Sequence, residues 1–337
     1  MRPRWLLALV LAGCFSSKSG GTAAPSNAAP PPAPIAPKHA ELARTIADPL
    51  GFLPVDSEIV LHFDAARLRR SAIWRQYEPA IVQALSSGLQ RAKDLCGIDP
   101  IAQLATIRVG LKTISKRPDG VMVVTGLDNG RLRTCIAANG ATGSNFTADG
   151  DVVVGTTDDG QPVALELVGA STIVFVLGPG TDRARLDEVL HSGSPLRGSA
   201  AFGEIFSSIN TQTALWFLVN GRAEAFDQAR ALGFTFGSAF GSIGVVDGLS
   251  ASMRVRVDTP ATATQWSSTF SSQVGPAKAF VDRLDISADA NDIVIELGMT
   301  DTQITTLVGL LGGLAGFNTA APPPSPSPSP APVGGAP

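Results

Sequence analysis

The sequence predicts an α+β protein, with antiparallel sheets and helices packed on one face of them. Three observations carry this. Short apolar runs rich in Val and Ile are bounded by Gly, Pro and Asp turns, helical segments fall between them without regular strand–helix–strand winding, and one strand-to-helix junction occurs twice.

Taken in order, residues 58–63 form a strand, and Asp64 is placed to cap a short helix over 65–70. Pro79 opens a longer helix with Ile81, Leu85, Leu89, Ala92 and Cys96 along one side, and Gly97 ends it. The runs 106–114 and 121–127 form a hairpin around Pro118, Asp119 and Gly120, whose backbone preferences suit a chain reversal. Strands follow at 152–156, 163–168 and 172–177, then a helix over 182–190 with Thr181 as its cap.

That last junction recurs. Ile173 to Gly178 followed by Thr181-Asp182 parallels Ile293 to Gly298 followed by Thr300-Asp301, and residues 58–70 are echoed loosely by 213–227. Two tandem copies of one unit account for the recurrence, as a duplicated architecture would. The alternative is that capping chemistry makes any such junction look alike. The expected organisation is a leader over 1–13, a Pro/Ala/Ser tether over 14–38, a first α+β unit over 39–195, a second over 196–318, and a Pro-Ser tail over 319–337. Both end segments hold too few large apolar side chains to order themselves.

At the N-terminus, Arg2 and Arg4 precede an apolar stretch from Trp5 to Ala12, the charged-then-apolar order of an export signal. The stretch closes on Leu11-Ala12-Gly13-Cys14, which resembles the lipobox of bacterial lipoproteins. The resemblance implies that Cys14 becomes the first mature residue and carries lipid, which holds the chain to a membrane without crossing it. It also implies a cell-envelope location, facing the periplasm or the surface. Phe15 rather than Asp after the cysteine points to the outer membrane. Over residues 48–317 the body resembles uncharacterised secreted and lipid-anchored bacterial proteins with duplicated sheet-and-helix units, through no motif that transfers a functional residue.

Composition narrows the function. The chain has 337 residues, 44% of them hydrophobic and 16% charged, and a formal net charge of −3, so it buries a core but has no basic surplus for a phosphate backbone. Nucleic acid is excluded as a partner. Arginine supplies 20 of the 26 basic residues, a bias that fits a GC-rich genome. With Cys14 lipidated, Cys96 and Cys135 remain in a compartment that allows disulfides; one bridge between them is the simplest outcome, two separately buried thiols the other.

Little in the sequence points to catalysis. Among the three histidines, His39 borders the tether and His191 ends a helix, where its cation suits the exposed carbonyls. His62 and Asp64 share one side of a strand, a pair that fits a structural role better than a metal site lacking a third ligand. Gly178-Pro179-Gly180-Thr181 reads as a turn into a helix, Asp158-Asp159-Gly160 as a hairpin turn, and Asn145-Phe146-Thr147 carries no weight as a glycosylation acceptor in a bacterial lipoprotein. No metal or cofactor is implied.

Two glycine-rich apolar segments remain. In 231–246, Gly233, Gly237 and Gly241 recur every fourth residue among Phe234, Phe236 and Phe240, which suits either a close-packing helix or a flexible apolar loop. In 304–317, Ile304, Leu307, Leu311 and Leu314 form one stripe, as in a packed terminal helix. The reading that follows is a non-enzymatic envelope lipoprotein, a binding or interaction module for an envelope protein or a small hydrophobic ligand. Its alternative is a periplasmic enzyme whose carboxylates, such as Asp56, Glu58 and Asp64, are gathered by the fold.

Overall fold

A computed structural model describes residues 48–113, 118–139, 145–157, 160–191, 195–231 and 233–307. The expected leader with Cys14, both end segments, His39, Asp158-Asp159 and residues 308–317 lie outside them.

Among the described residues, all the strands join one antiparallel sheet of twelve. They are β1 (Ile59–Asp64), β2 (Thr106–Thr113), β3 (Asp119–Thr125), β4 (Phe146–Asp149), β5 (Val152–Thr156) and β6 (Pro162–Val168), then β7 (Thr172–Leu177), β8 (Leu215–Asn220), β9 (Ser238–Gly244), β10 (Leu249–Arg256), β11 (Arg283–Asp289) and β12 (Asp292–Met299). The order across the sheet is β11-β12-β10-β9-β8-β1-β2-β3-β7-β6-β5-β4. β1 and β8 therefore pair at the middle, from Ile59↔Val219 to Phe63↔Leu215. On each side of that join, three strands follow in sequence order, and the chain then leaves by a helix and returns to pair with the third strand, as β7 on one side and β12 on the other. The recurring Ile173–Gly178 and Ile293–Gly298 segments occupy those two return strands.

Between the strands lie α1 (Ala65–Leu68), α2 (Ala72–Ala84), α3 (Ser86–Cys96), α4 (Pro100–Gln103), α5 (Asn129–Asn139), α6 (Arg183–His191), α7 (Ala200–Phe206), α8 (Asp227–Ala231) and α9 (Pro260–Gln273). Residues 301–307 are also helical. None of the helices among the described residues is long and apolar enough to cross a membrane. Local chemistry sets their ends. Asp64 accepts the Arg67 N–H at 2.7 Å to cap α1, Ser71 accepts the Trp74 N–H at 3.0 Å to cap α2, and Gly97, at φ 62°, takes the left-handed conformation that stops α3.

Alternation along the strands builds two cores, one on each face. Val60, Val121, Val123, Val174 and Val176 point to one face, where Leu186 and Leu190 of α6 and Phe202 of α7 cover them. Ile59, Met122, Val124, Ile173 and Phe175 point to the other, against Leu132 and Ile136 of α5. In the second half, Val255, Ile286, Ile293 and Ile295 carry this α5 face on beneath Trp266 and Phe270 of α9. The antiparallel α+β architecture thus carries helices on both faces of its first half, because its central strands are apolar on both sides. The second half is covered by α9 on the α5 face.

Three local expectations are corrected. The helix expected to open at Pro79 begins at Ala72 under the Ser71 cap, takes Pro79 in its interior, and gives way at Leu85 to a second helix, α3. Asp182, not Thr181, caps α6, its Oδ1 accepting the Arg185 N–H at 2.9 Å, while the Thr181 hydroxyl is buried without a partner. The glycine-spaced stretch 231–246 is not a close-packing helix: 233–237 is irregular and Ser238–Gly244 is the strand β9, in which a Cβ at Gly241 would collide with the Ser252 carbonyl of the neighbouring strand.

Cys96 at the end of α3 and Cys135 within α5 are joined in a disulfide, with Cα atoms 5.1 Å apart. The bridge closes a loop between residues 39 apart in sequence, which in the chain-entropy account stabilises the fold by about 4 kcal/mol at most. Cys96→Ser paired with Cys135→Ser is expected to lower unfolding free energy by about 2–4 kcal/mol in urea titrations. Adding reductant should then shift the wild type alone.

Candidate functional site

The α6 face changes character along its length. One row across the sheet runs Val176, Val121, Gly110, Val60, Leu218 and Phe240, all in register, then reaches Arg254. The parallel row runs Arg108, His62, Trp216, Ser242, Ser252 and Glu296. Up to β9 this face is roofed by α7, whose Phe202 and Phe206 stack with ring centres 5.0 Å apart, Phe206 also meeting Trp216 edge-on. Beyond β9, Ser250 and Ser252 on this face are exposed, and no residue of β10, β11 or β12 joins the core under α6 and α7.

A recess of about 440 Å³ occupies the uncovered part. Its floor is Ser242, Ser250 and Ser252, its wall the loop holding Asn210 and Thr213, and its outer rim Arg283 and Glu296. The strands explain the floor: small hydroxyl side chains at successive face positions of β9 and β10 leave depth that larger residues would fill.

The charged groups here are matched among themselves. Arg254 meets Asp289 at 2.8 Å and Asp292 at 3.4 Å, while Arg256 meets Asp292 at 2.9 Å and Glu204 of α7 at 2.9 Å. Arg283 pairs with Asp285 and Glu296. Asp292 is 5% exposed and receives both β10 arginines, and hydrogen bonds to these carboxylates push both guanidinium pKa values up. The recess therefore presents hydroxyls and an amide within a frame whose three arginines are all paired and in which carboxylates, Asp282 among them, are in excess.

Of the residues singled out in the sequence, His62 lies in the same row, two strands from Ser242. It is 6% exposed, stacks on Trp216 with ring centres 5.2 Å apart, and its Nδ1 has no partner. Burial, and then the charge of Arg108 beside it, lowers its pKa from 6.5 to about 4. Asp64 is committed to capping α1 and to Arg67, so the two do not act as an acid–base pair. Asp56 lies in the turn before β1 and pairs with Lys112, and Asp64 ends that strand; the strand from Ile59 to Asp64, about 17 Å, keeps them apart. His191 ends α6 with Nδ1 3.1 Å from the Asp187 carbonyl oxygen. Gly178 to Thr181 is the turn into α6, Gly160 has φ 76°, and Asn145 precedes β4. Among the described residues no three His, Cys, Asp or Glu side chains are grouped to hold a metal.

No motif or spacing in the sequence singles out the recess residues as a set. The alternation Ser250, Ser252, Arg254, Arg256 on β10 was the available clue, since a strand with small polar and charged residues on one side announces an uncovered face.

Two outcomes follow. The unfolded state takes up a proton at His62 near pH 6.5 and the folded state only near 4, so stability falls as pH drops through that window, by about 3 kcal/mol from this group. His62→Phe, which keeps the stack on Trp216, should flatten that part of the curve in urea titrations run from pH 7 to pH 4. Asp292→Ala should cost about 1–3 kcal/mol, because both arginines lose their shared buried partner and keep only the exposed Asp289 and Glu204; thermal melts followed by circular dichroism would measure it.

No protein-family model matches the sequence, and no curated protein does. Among solved structures, the chain is similar to TP0453 in crystal form I, with a TM-score of 0.46 and 9% identity over 78% of this chain and 98% of that one. Against TP0453 in crystal form III the TM-score is 0.44, at 9% identity and the same coverage.

Proposed function

We propose that this chain is a cell-envelope lipoprotein, held by lipid on Cys14, that binds a neutral hydrogen-bonding ligand in the recess over β9, β10 and β12. The observation that carries the binding role is the serine floor inside a frame whose arginines are each already paired with carboxylates. Such a site offers donors and acceptors beside a surplus of carboxylates and no unpaired arginine, which suits a hydroxyl- or amide-bearing molecule such as an oligosaccharide better than an anion or a hydrocarbon. No nucleophile stands beside a base on its floor, which favours binding over turnover.

The support for the anchor is the order of basic residues, apolar run and Leu11-Ala12-Gly13-Cys14. A single lipid chain binds a membrane only marginally, whereas two chains anchor a protein stably. The outer membrane is the preferred location, from Phe15 after the cysteine.

Two measurements test this. Cells fed radioactive palmitate should label the wild type and not Cys14→Ser, and equal labelling of both would remove the anchor. Titration with chitotriose, followed by tryptophan fluorescence and calorimetry, should saturate for the wild type, with affinity lost at least about tenfold in Ser252→Tyr, which fills the recess. Equal binding by the two proteins would move the site elsewhere, and no heat from a panel of neutral oligosaccharides would end the ligand assignment.

A further inference from the structure

The sheet has two edges, and they differ. β4 is four residues long, whereas β11 presents seven residues, about 24 Å of strand, with its outer side unpaired among the described residues. The two-residue turn at Ala290-Asn291 makes Asp289 and Asp292 a hydrogen-bonded pair, so by alternation Leu284, Ile286 and Ala288 turn their peptide groups outward. We infer that this edge pairs antiparallel with the same edge of a second copy, about a two-fold axis at Ile286, to make one continuous sheet through both molecules.

The sequence of β11 is complementary to itself in that register. Arg283 falls opposite Asp289 of the second copy, Leu284 opposite Ala288, Asp285 opposite Ser287, and Ile286 opposite itself. Two ion pairs form on the α6 face, apolar pairs form on the α5 face, and about six peptide hydrogen bonds join the edges. Centring the pair one residue to either side would set Asp285 against itself or against Asp289, like charges directly opposed. A charged edge is also the usual device against such pairing, but that device needs no match between the two ends of the strand.

The neighbouring surface agrees. α9, which packs on β11, exposes much of its length yet has no Asp, Glu, Lys or Arg in its fourteen residues. Its Ser268, Ser271 and Ser272 border a recess of about 380 Å³ that opens beside Ile286. A two-fold axis at Ile286 brings the same small, uncharged stripe of the second copy toward this one. Phe280, 62% exposed just before β11, falls beyond the Asp289 end of the second copy, next to its Ala290-Asn291 turn.

The test uses the full chain with Cys14→Ser, so that the native Cys96–Cys135 bridge leaves no other thiol. Asp285→Cys and Ser287→Cys are made in separate molecules, co-expressed and oxidised, and run on a non-reducing gel. A disulfide-linked dimer is expected from the mixture and not from either variant alone. Adding Arg283→Asp to both should lower its yield about tenfold through Asp–Asp repulsion, and adding Asp289→Arg as well should restore it. Circular dichroism melts confirm that each variant is folded. No linked dimer from folded mixed variants, or a yield indifferent to the charge changes, would overturn the pairing.

Discussion

Five cross-strand pairs between β1 and β8, from Ile59↔Val219 to Phe63↔Leu215, hold the two halves of this protein in one sheet. Everything else depends on that join. β1 is flanked by β2 and β8, and Val60 on one face and Ile59 on the other are both buried. A slip of one residue would send Val60 to the α5 face and Ile59 to the α6 face, breaking both cores at once, so the register is fixed from two sides. The return of the chain after α6 reinforces it: the Leu196 N–H donates to the Leu53 carbonyl at 2.7 Å, and α7 then sets Phe206 edge-on to Trp216, beside the join.

With the join fixed, the difference between the halves becomes a matter of side-chain choice on one face. The same row that is Val176, Val121 and Val60 on one side of β8 becomes Phe240, Arg254, Val294 and Ser287 on the other. The apolar part must be roofed and is, by α6 and α7. The polar part can face water, and its hydroxyl floor survives as an open recess. His62 sits near the transition, a polar ring in an otherwise apolar neighbourhood, kept neutral by burial and by the arginine next to it.

The sequence revealed what is local. Asp64 as a cap, Gly97 as a stop, the β2–β3 hairpin and the three strands from 152 to 177 each depend on a few neighbouring residues, and each lies close to where the pattern put it. The helix α9 was missed although Thr259 and Pro260 spell a cap and first turn, because its Ser and Thr content hides the apolar stripe of Ala263, Trp266 and Phe270. The recess was illegible for a different reason. Ser242 and Ser252 are adjacent only through the β9–β10 register, and the loop with Asn210 and Thr213 reaches them through α7, so no spacing in the chain marks the set. Pairing across strands, unlike capping, leaves no fixed interval to read.

The ion pairs of β10 explain how an uncovered face remains stable. An arginine on a sheet face beside an apolar core is costly if its charge is left without a partner, and the cost rises as neighbours exclude water. Arg254 and Arg256 stand at that boundary, about one-third exposed, and both converge on Asp292, which is nearly buried. Asp289 and Glu204 complete the match from the turn and from α7. Because Glu204 belongs to the helix that roofs the apolar half, the network also fixes where the roof ends. The edge of the recess is thus set by electrostatics and its depth by serines, so the cavity is a consequence of the same contacts that terminate the core.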